Sequence, residues 1–123
     1  MVVEGSQIDW ASHHGNGEQL IEEVIDLDEA VGSAMNFAKQ DKQTLVVVLA
    51  DHASGGYTIL NGSVKKKKVT HAAFFTEGHS GEMVPLFAYG PGSEVFAGVH
   101  EIAFVGQNLI RYLQLSEVPQ EEK

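Results

Sequence analysis

The sequence predicts an α/β fold with a mostly parallel central sheet. The run from Thr44 to Ala50 (TLVVVLA) is apolar at every position but its first, as is typical of a central, parallel strand that is buried on both faces. A second apolar run, Val84 to Tyr89, ends at a Gly-Pro-Gly turn. A helical pattern precedes the first run, and this strand–helix–strand alternation favours an α/β arrangement in which helices cover a parallel sheet.

The N-terminal third is predicted to contain the end of a strand and one long helix. Met1 to Val3 is interpreted as the last part of a strand, with Glu4 at its carboxyl end. Asp26 and Glu29 have the spacing of a capping box, with Asp26 as the N-cap. The apolar positions that follow recur at helical spacing, so a helix is predicted from this box to about Lys39.

The remaining elements are shorter. Tyr57 to Leu60 is predicted as a strand, and Asn61-Gly62 as the turn that ends it. Four lysines, Lys65 to Lys68, are predicted to form an exposed loop, with attraction of anionic substrate as the alternative role. Glu101 to Leu115 is predicted as the last helix, and residues 116–123 as a frayed tail. All of residues 1–123 are assigned to one domain.

Composition excludes several classes of function. The formal charge is −9, from 17 acidic and 8 basic residues, which argues against binding to nucleic acid through phosphate contacts. The chain has no cysteine, so disulfides, thiolate metal sites and thiol catalysis are excluded. No apolar run reaches the roughly 18 residues of a membrane span, and the first residues do not look like a signal peptide.

Three polar clusters are expected at the edge of the sheet where the strands end, which is where open α/β sheets bind ligands. Asp9 and His13 are four residues apart, so on a helix they share one face and could hold one ion; a solvated helix face is the alternative. Asp51-His52 directly follows the buried strand, and a turn there could aim both side chains at one cation or simply be capped by the aspartate. His79 lies between glycines that leave its ring accessible, although a lone histidine there is usually a loop residue.

The order and wording of three segments resemble the alkaline phosphatase family. They are V-E-G-S-Q-I-D-W-A-S-H at 3–13, L-V-V-V-L-A-D-H at 45–52, and G-H-S-G…P-L-F-A-Y-G-P-G at 78–92. The resemblance extends from Val3 to about Leu115, and it implies the C-terminal part of a three-layer alkaline-phosphatase-like fold. Members of that family hydrolyse phosphate monoesters through a phosphoserine, with two zinc ions and one magnesium ion.

The resemblance also implies a ligand for each ion. Asp9, His13 and His79 match the ligands of the first zinc, and the spacing from Asp9 favours His13 over the adjacent His14. Asp51 and His52 match ligands of the second zinc, and Glu4 matches a ligand of magnesium. A cobalt or calcium variant remains an alternative metal composition.

Several parts of the family's site have no match in this sequence. The serine nucleophile is expected upstream, in a D-S-A-like motif, and further ligands of the second zinc and of magnesium are expected there too. The only arginine, Arg111, lies on the predicted last helix and does not match the family's phosphate-binding arginine. The chain is therefore interpreted as a fragment that binds zinc but is itself inactive.

Two other functions remain open. One is another enzyme of the wider superfamily, such as a phosphodiesterase or a sulfatase, and the other is a non-catalytic metal-binding domain. For the full-length protein, the resemblance implies a phosphate monoester or inorganic phosphate as ligand, a homodimer, and a periplasmic or extracellular location.

Overall fold

A computed structural model describes residues 1–115 of the chain and contains both helices and strands, in agreement with the α/β prediction, although six strands follow the first two helices without an intervening helix. The helices are α1 (Ser6–His13), α2 (Gly17–Asp41) and α3 (Ile102–Tyr112), with a short 3₁₀ helix at Ser93–Phe96. The strands are β1 (Val46–Leu49), β2 (Ala53–Ser54), β3 (Thr58–Ser63), β4 (Lys68–Ala73), β5 (His79–Ser80) and β6 (Leu86–Tyr89).

The strand pairs of the described residues are antiparallel. They form three two-stranded sheets, in which β1 pairs with β6, β2 with β5, and β3 with β4. The predicted strand at Thr44 to Ala50 is present as β1, but its partner runs in the opposite direction rather than parallel. A continuous apolar run reports burial on both faces, and burial does not determine the direction of the neighbouring strand.

Helix α2 begins nine residues before the predicted capping box. Its N-cap is Asn16, whose side-chain oxygen accepts a hydrogen bond from the backbone N–H of Gln19 at 3.1 Å. Asp26 and Glu29 therefore lie inside the helix, because a cap motif has no effect where the preceding residues are already helical. The helix ends at Asp41, close to the predicted end, where Lys42 adopts the left-handed conformation typical of a C-terminal cap.

Strands β3 and β4 form a hairpin, and β3 extends further than the predicted strand. Strand β3 continues through Asn61-Gly62, with an irregular register at Asn61, and the turn lies at residues 64–67 instead. The turn is closed by a hydrogen bond from the N–H of Lys67 to the carbonyl of Val64. All four lysines are exposed, as predicted, but only Lys65 to Lys67 lie in the turn, whereas Lys68 begins strand β4.

The two ends of the chain differ in how well they were predicted. Met1 to Val3 does not form a strand; residues 1–5 have no regular structure and lead into α1. A short β-branched run is compatible with a strand but cannot form one without a partner. Helix α3 lies within the predicted Glu101 to Leu115, whereas the tail at 116–123 is outside the described residues.

Helix α1 rests on α2, and this packing fixes the position of the first polar cluster. Ala11 of α1 and Ala38 of α2 are fully or almost fully buried, and Gly5 lies against the side chain of Leu27. Two further buried apolar side chains, Phe96 and Val105, come from the C-terminal segment. Within residues 1–115, no helix is both long and apolar enough to cross a bilayer.

Candidate metal centre

Helix α1 places Asp9 and His13 one turn apart on the same face. Asp9 Oδ2 lies 3.3 Å from His13 Nε2, and both side chains are about one third exposed. The intervening Ala11 and Ser12 are buried, so the helix cannot rotate this face away without exposing its packed side. The predicted sharing of one helical face by Asp9 and His13 is confirmed.

Strand β5 brings His79 to the same point. His79 Nε2 lies 3.2 Å from His13 Nε2 and 3.5 Å from Asp9 Oδ1. The ligand atoms of these three residues all lie within 4.8 Å of one another. Residues separated by more than sixty positions therefore converge, and we call Asp9, His13 and His79 the triad.

A glycine connects the strand that carries His79 to the rest of the site. Gly55 donates its N–H to the carbonyl of Gly78 at 3.0 Å, and its own carbonyl accepts from the N–H of Phe75 at 2.8 Å. Its φ is +71°, and a Cβ there would lie 2.8 Å from the ring of Phe74. Only glycine fits this backbone position, so the turn that aligns β2 with β5 depends on it.

The ligand atoms of the triad lie close enough together to hold one divalent ion. One atom from each residue lies within 4.8 Å of the others, and tetrahedral zinc with bonds of about 2.1 Å separates its ligand atoms by roughly 3.4 Å. Asp9 turns Oδ2 toward His13 and Oδ1 toward His79. His13 Nδ1 lies 2.5 Å from the carbonyl oxygen of Glu77. Because a carbonyl only accepts, Nδ1 carries the proton, which leaves the lone pair on Nε2 facing the triad. The donor set therefore fits a divalent ion such as zinc.

Asp51 and His52 form a second pair of ligand atoms beside the triad. The chain bends at these two residues, and Asp51 Oδ2 lies 3.3 Å from His52 Nε2. The turn therefore brings together two adjacent side chains that an extended strand would separate. The ring of His52 stacks on that of His79, with 3.5 Å between centroids and 20° between planes. The pair and the triad therefore lie side by side, in contact through the stacked rings of His52 and His79.

Ser54 is a functional-site residue that the sequence reasoning missed. Its hydroxyl donates to Asp9 Oδ1 and lies 3.3 Å from His52 Nδ1. The sequence carries no local signal for it, because the chain bends at Asp51 and His52 and the contact with Asp9 joins positions 45 residues apart.

The environment of Asp9 favours its charged form. The hydrogen bond from Ser54 lowers the pKa of Asp9, desolvation raises it to a smaller extent, and the nearby imidazoles of His13, His79 and His52 lower it further. The pKa consequently lies below its ordinary value of 3.8. A carboxylate that is ionised at neutral pH is the form that binds a metal ion.

Two other candidates lie apart from the triad. Glu4 is exposed in the segment before α1 and, among the described residues, is not brought into the group formed by the triad. His14 is exposed at the C-terminal cap of α1, and its ring lies beside Trp10 instead of the triad. The preference for His13 over His14 agrees with this geometry.

These features define a class of protein, an α/β chain with a candidate divalent-metal centre. The sequence profile described as "Alkaline phosphatase" matches residues 1–73, more than half of the chain. The chain belongs to the alkaline phosphatase family.

Relatives and solved structures agree with this assignment. The chain is 29% identical to alkaline phosphatase 3 of Bacillus subtilis, over 93% of this chain and 40% of that protein. It is 32% identical to the alkaline phosphatase of Escherichia coli, over 79% of this chain and 24% of that protein. The alkaline phosphatase of the Antarctic bacterium TAB5 superposes with a TM-score of 0.81 and 42% identity, over 93% of this chain and 34% of that one. A variant of the TAB5 enzyme has been solved with magnesium bound.

The chain spans less than half the length of these relatives. The alignment with the Bacillus protein runs over 183 positions, more than the 123 residues of this chain, so that protein also has segments there without a counterpart here.

Proposed function

We propose that this chain supplies part of the metal centre of an alkaline phosphatase that hydrolyses phosphate monoesters. The triad of Asp9, His13 and His79 would hold the first zinc ion. The single observation that carries this proposal is the convergence of one carboxylate and two imidazoles, whose ligand atoms lie within 4.8 Å of one another. The reaction class is inferred from the alkaline phosphatase family, to which the chain belongs.

Asp51 and His52 would contribute to a second zinc site, and Glu4 to a magnesium site. The support for the second site is the pairing of two ligand atoms next to the triad. Glu4 is exposed and has no comparable support from geometry, so its assignment rests on the family resemblance alone.

Two bound zinc ions would stabilise the attacking and leaving oxygens of an in-line displacement at phosphorus. The residues of this chain would orient the metal ligands and keep a negative charge at the metal site. Asp9 is kept ionised by its hydrogen bond and the neighbouring rings, and His13 is held in one tautomer by the carbonyl of Glu77. Passage through a phosphoserine belongs to the proposal too, and its serine has no match in the motifs of this chain. Dimerisation and export of the full-length protein remain predictions from the family resemblance.

The test compares zinc binding by His13→Ala and His14→Ala. These neighbouring histidines both lie at the end of α1, but only His13 is in the triad. The metal-free proteins are loaded with zinc, dialysed and assayed for bound metal. His13→Ala should lose at least one zinc equivalent per chain, and His14→Ala should retain the wild-type content. Equal zinc content in the two variants would rule out the triad as the first zinc site.

A non-catalytic metal-binding domain is the second candidate. The observation in its favour is that the triad lies entirely within this chain, whereas the motif that carries the family's nucleophilic serine has no match in the sequence. Both candidate functions predict zinc binding at the triad. They differ in whether a phosphatase reaction depends on that metal.

A further inference from the structure

We propose that Ser54 is a positioning residue that connects the two groups of zinc ligands, aiming the Asp9 carboxylate and orienting the ring of His52. This inference rests on the proposed function, because it assigns Ser54 a role toward the metal ions of that site. Ser54 itself binds no metal, and its hydroxyl acts only through its contacts with Asp9 and His52.

The contact with Asp9 determines the direction of the serine proton. A carboxylate that is ionised has only acceptor atoms, so the hydroxyl hydrogen of Ser54 points to Asp9 Oδ1. That bond engages the oxygen of Asp9 that lies 3.5 Å from His79, and it leaves Oδ2 beside His13. Ser54 consequently limits rotation of the carboxylate about its last bond, so that each oxygen faces one imidazole of the triad.

The contact with His52 places the same hydroxyl beside the second pair of ligands. Ser54 Oγ lies 3.3 Å from His52 Nδ1, and Nε2 on the other side of that ring lies 3.3 Å from Asp51 Oδ2. Metal-ligating histidines are usually oriented by an outer contact at the ring nitrogen that does not bind the ion. Ser54 therefore contacts one ligand of each proposed zinc site.

The backbone holds Ser54 in place for this role. Ser54 lies opposite His79 in the β2–β5 pair, so the residue that contacts Asp9 and the third member of the triad are fixed in one ladder. Gly55 follows directly and locks the turn through its bonds to Gly78 and Phe75. The hydroxyl is thus positioned by the same element that positions the ligands.

The alternative role for this hydroxyl is that of a nucleophile, since Ser54, His52 and Asp51 are close together. The hydrogen bond to Asp9 opposes it. A nucleophilic serine donates its proton to a histidine that serves as base, whereas the hydroxyl of Ser54 donates to the Asp9 carboxylate.

The test uses the full chain and zinc alone, with Ser54→Ala, Ser54→Thr and the control Ser33→Ala. Ser33 lies on the exposed side of α2, where its hydroxyl bonds only within the helix. Zinc affinity is measured by competition with a chromophoric chelator, and circular dichroism of the metal-free chains verifies folding. Loss of an outer-shell hydrogen bond typically weakens metal affinity by about 10- to 100-fold. We expect a loss in that range for Ser54→Ala, a far smaller loss for Ser54→Thr, which keeps a hydroxyl, and no change for Ser33→Ala.

The contrast between Ser54→Ala and Ser54→Thr is a readout of positioning, because threonine keeps the hydroxyl that alanine removes. Wild-type zinc affinity in a folded Ser54→Ala chain would overturn the inference. If His13→Ala also binds zinc normally, the proposed metal site itself fails; if only Ser54→Ala does, the positioning role alone fails.

Discussion

Asp9 contacts Ser54, His13 and His79, and its charge links the site to stability. In the folded chain its pKa lies below 3.8, mainly because Ser54 donates a hydrogen bond to it. The unfolded chain therefore takes up this proton first as the pH falls. Asp9 contributes its full stabilisation above about pH 3.8, and that contribution is lost as the pH falls through the folded-state pKa.

The corresponding prediction concerns Asp9→Asn in the presence of a chelator. The free energy of unfolding, measured in urea, should differ more between wild type and variant at pH 6 than at pH 3. The effect should be small, because the side chain of Asp9 is 37% exposed and solvent screens its interactions. An equal difference at the two pH values would contradict the assignment of a lowered pKa to Asp9.

Sequence patterns identified the residues of the triad but not the contacts that orient them. The spacing of Asp9 and His13 is a local property of a helix, so it can be deduced from the sequence. The approach of His79 depends on the pairing of β2 with β5, which joins positions 25 residues apart and has no local signature. Ser54 was missed for a related reason, since a serine is informative only once its partners are known.

At the scale of elements, the N-terminus of α2 shows which local signal dominates. Asn16 caps the helix through the N–H of Gln19, and the later capping-box pattern at Asp26 and Glu29 lies in the helix interior. Asn16→Ala should lower the free energy of unfolding by about 0.5–2 kcal/mol, because one N–H at the helix end loses its acceptor.

Asp26→Ala is the matched control, since Asp26 is the N-cap that the sequence predicted. As an exposed interior position of α2, it should be neutral or slightly stabilising when replaced by alanine, the best helix former. Urea unfolding of both variants distinguishes the two positions. A larger loss of unfolding free energy for Asp26→Ala than for Asn16→Ala would contradict the assignment of Asn16 as the N-cap.

The turn at Gly55 is the other element on which the site depends. Gly55→Ala forces a side chain into a left-handed backbone conformation and toward the ring of Phe74, so we expect a loss of about 1–3 kcal/mol in unfolding free energy. Zinc affinity should fall as well, because this turn aligns the strand that carries His79.

Gly32→Ala provides the control for that substitution. Gly32 lies in α2 with no neighbouring atom near the added methyl, so alanine should stabilise the chain by up to about 1 kcal/mol. A Gly55→Ala chain as stable as wild type, with unchanged zinc affinity, would show that the turn does not hold the site.

The elements themselves were predicted better than their pairing. Five predicted segments, the long helix, the two apolar strands, the hairpin strand and the last helix, are present with shifted boundaries. The predicted parallel sheet is not seen among the described residues, whose strand pairs are all antiparallel. The prediction failed because an apolar run carries no information about the direction of the neighbouring strand. The hairpin turn moved from Asn61-Gly62 to the lysine tip, since the bulge at Asn61 lets the ladder continue past a turn-forming dipeptide.

At the scale of the whole molecule, the isolated chain is expected to lack phosphatase activity. It contains the triad, but the motif that carries the family's nucleophilic serine has no match in its sequence. Zinc-loaded chain incubated with p-nitrophenyl phosphate should release no chelator-sensitive p-nitrophenol above the buffer rate. The alkaline phosphatase of Escherichia coli, assayed alongside, confirms that the conditions support turnover. Chelator-sensitive turnover at a rate comparable to that enzyme would contradict this prediction.

Anomalous diffraction at the zinc edge shows directly whether Asp9, His13 and His79 hold one zinc ion. Crystals of the zinc-loaded chain should show an anomalous peak about 2.0–2.2 Å from a carboxylate oxygen of Asp9 and from Nε2 of both histidines. A zinc-loaded crystal without a peak at the triad, or with its strongest peak at ligands elsewhere, would contradict the zinc site proposed at the triad.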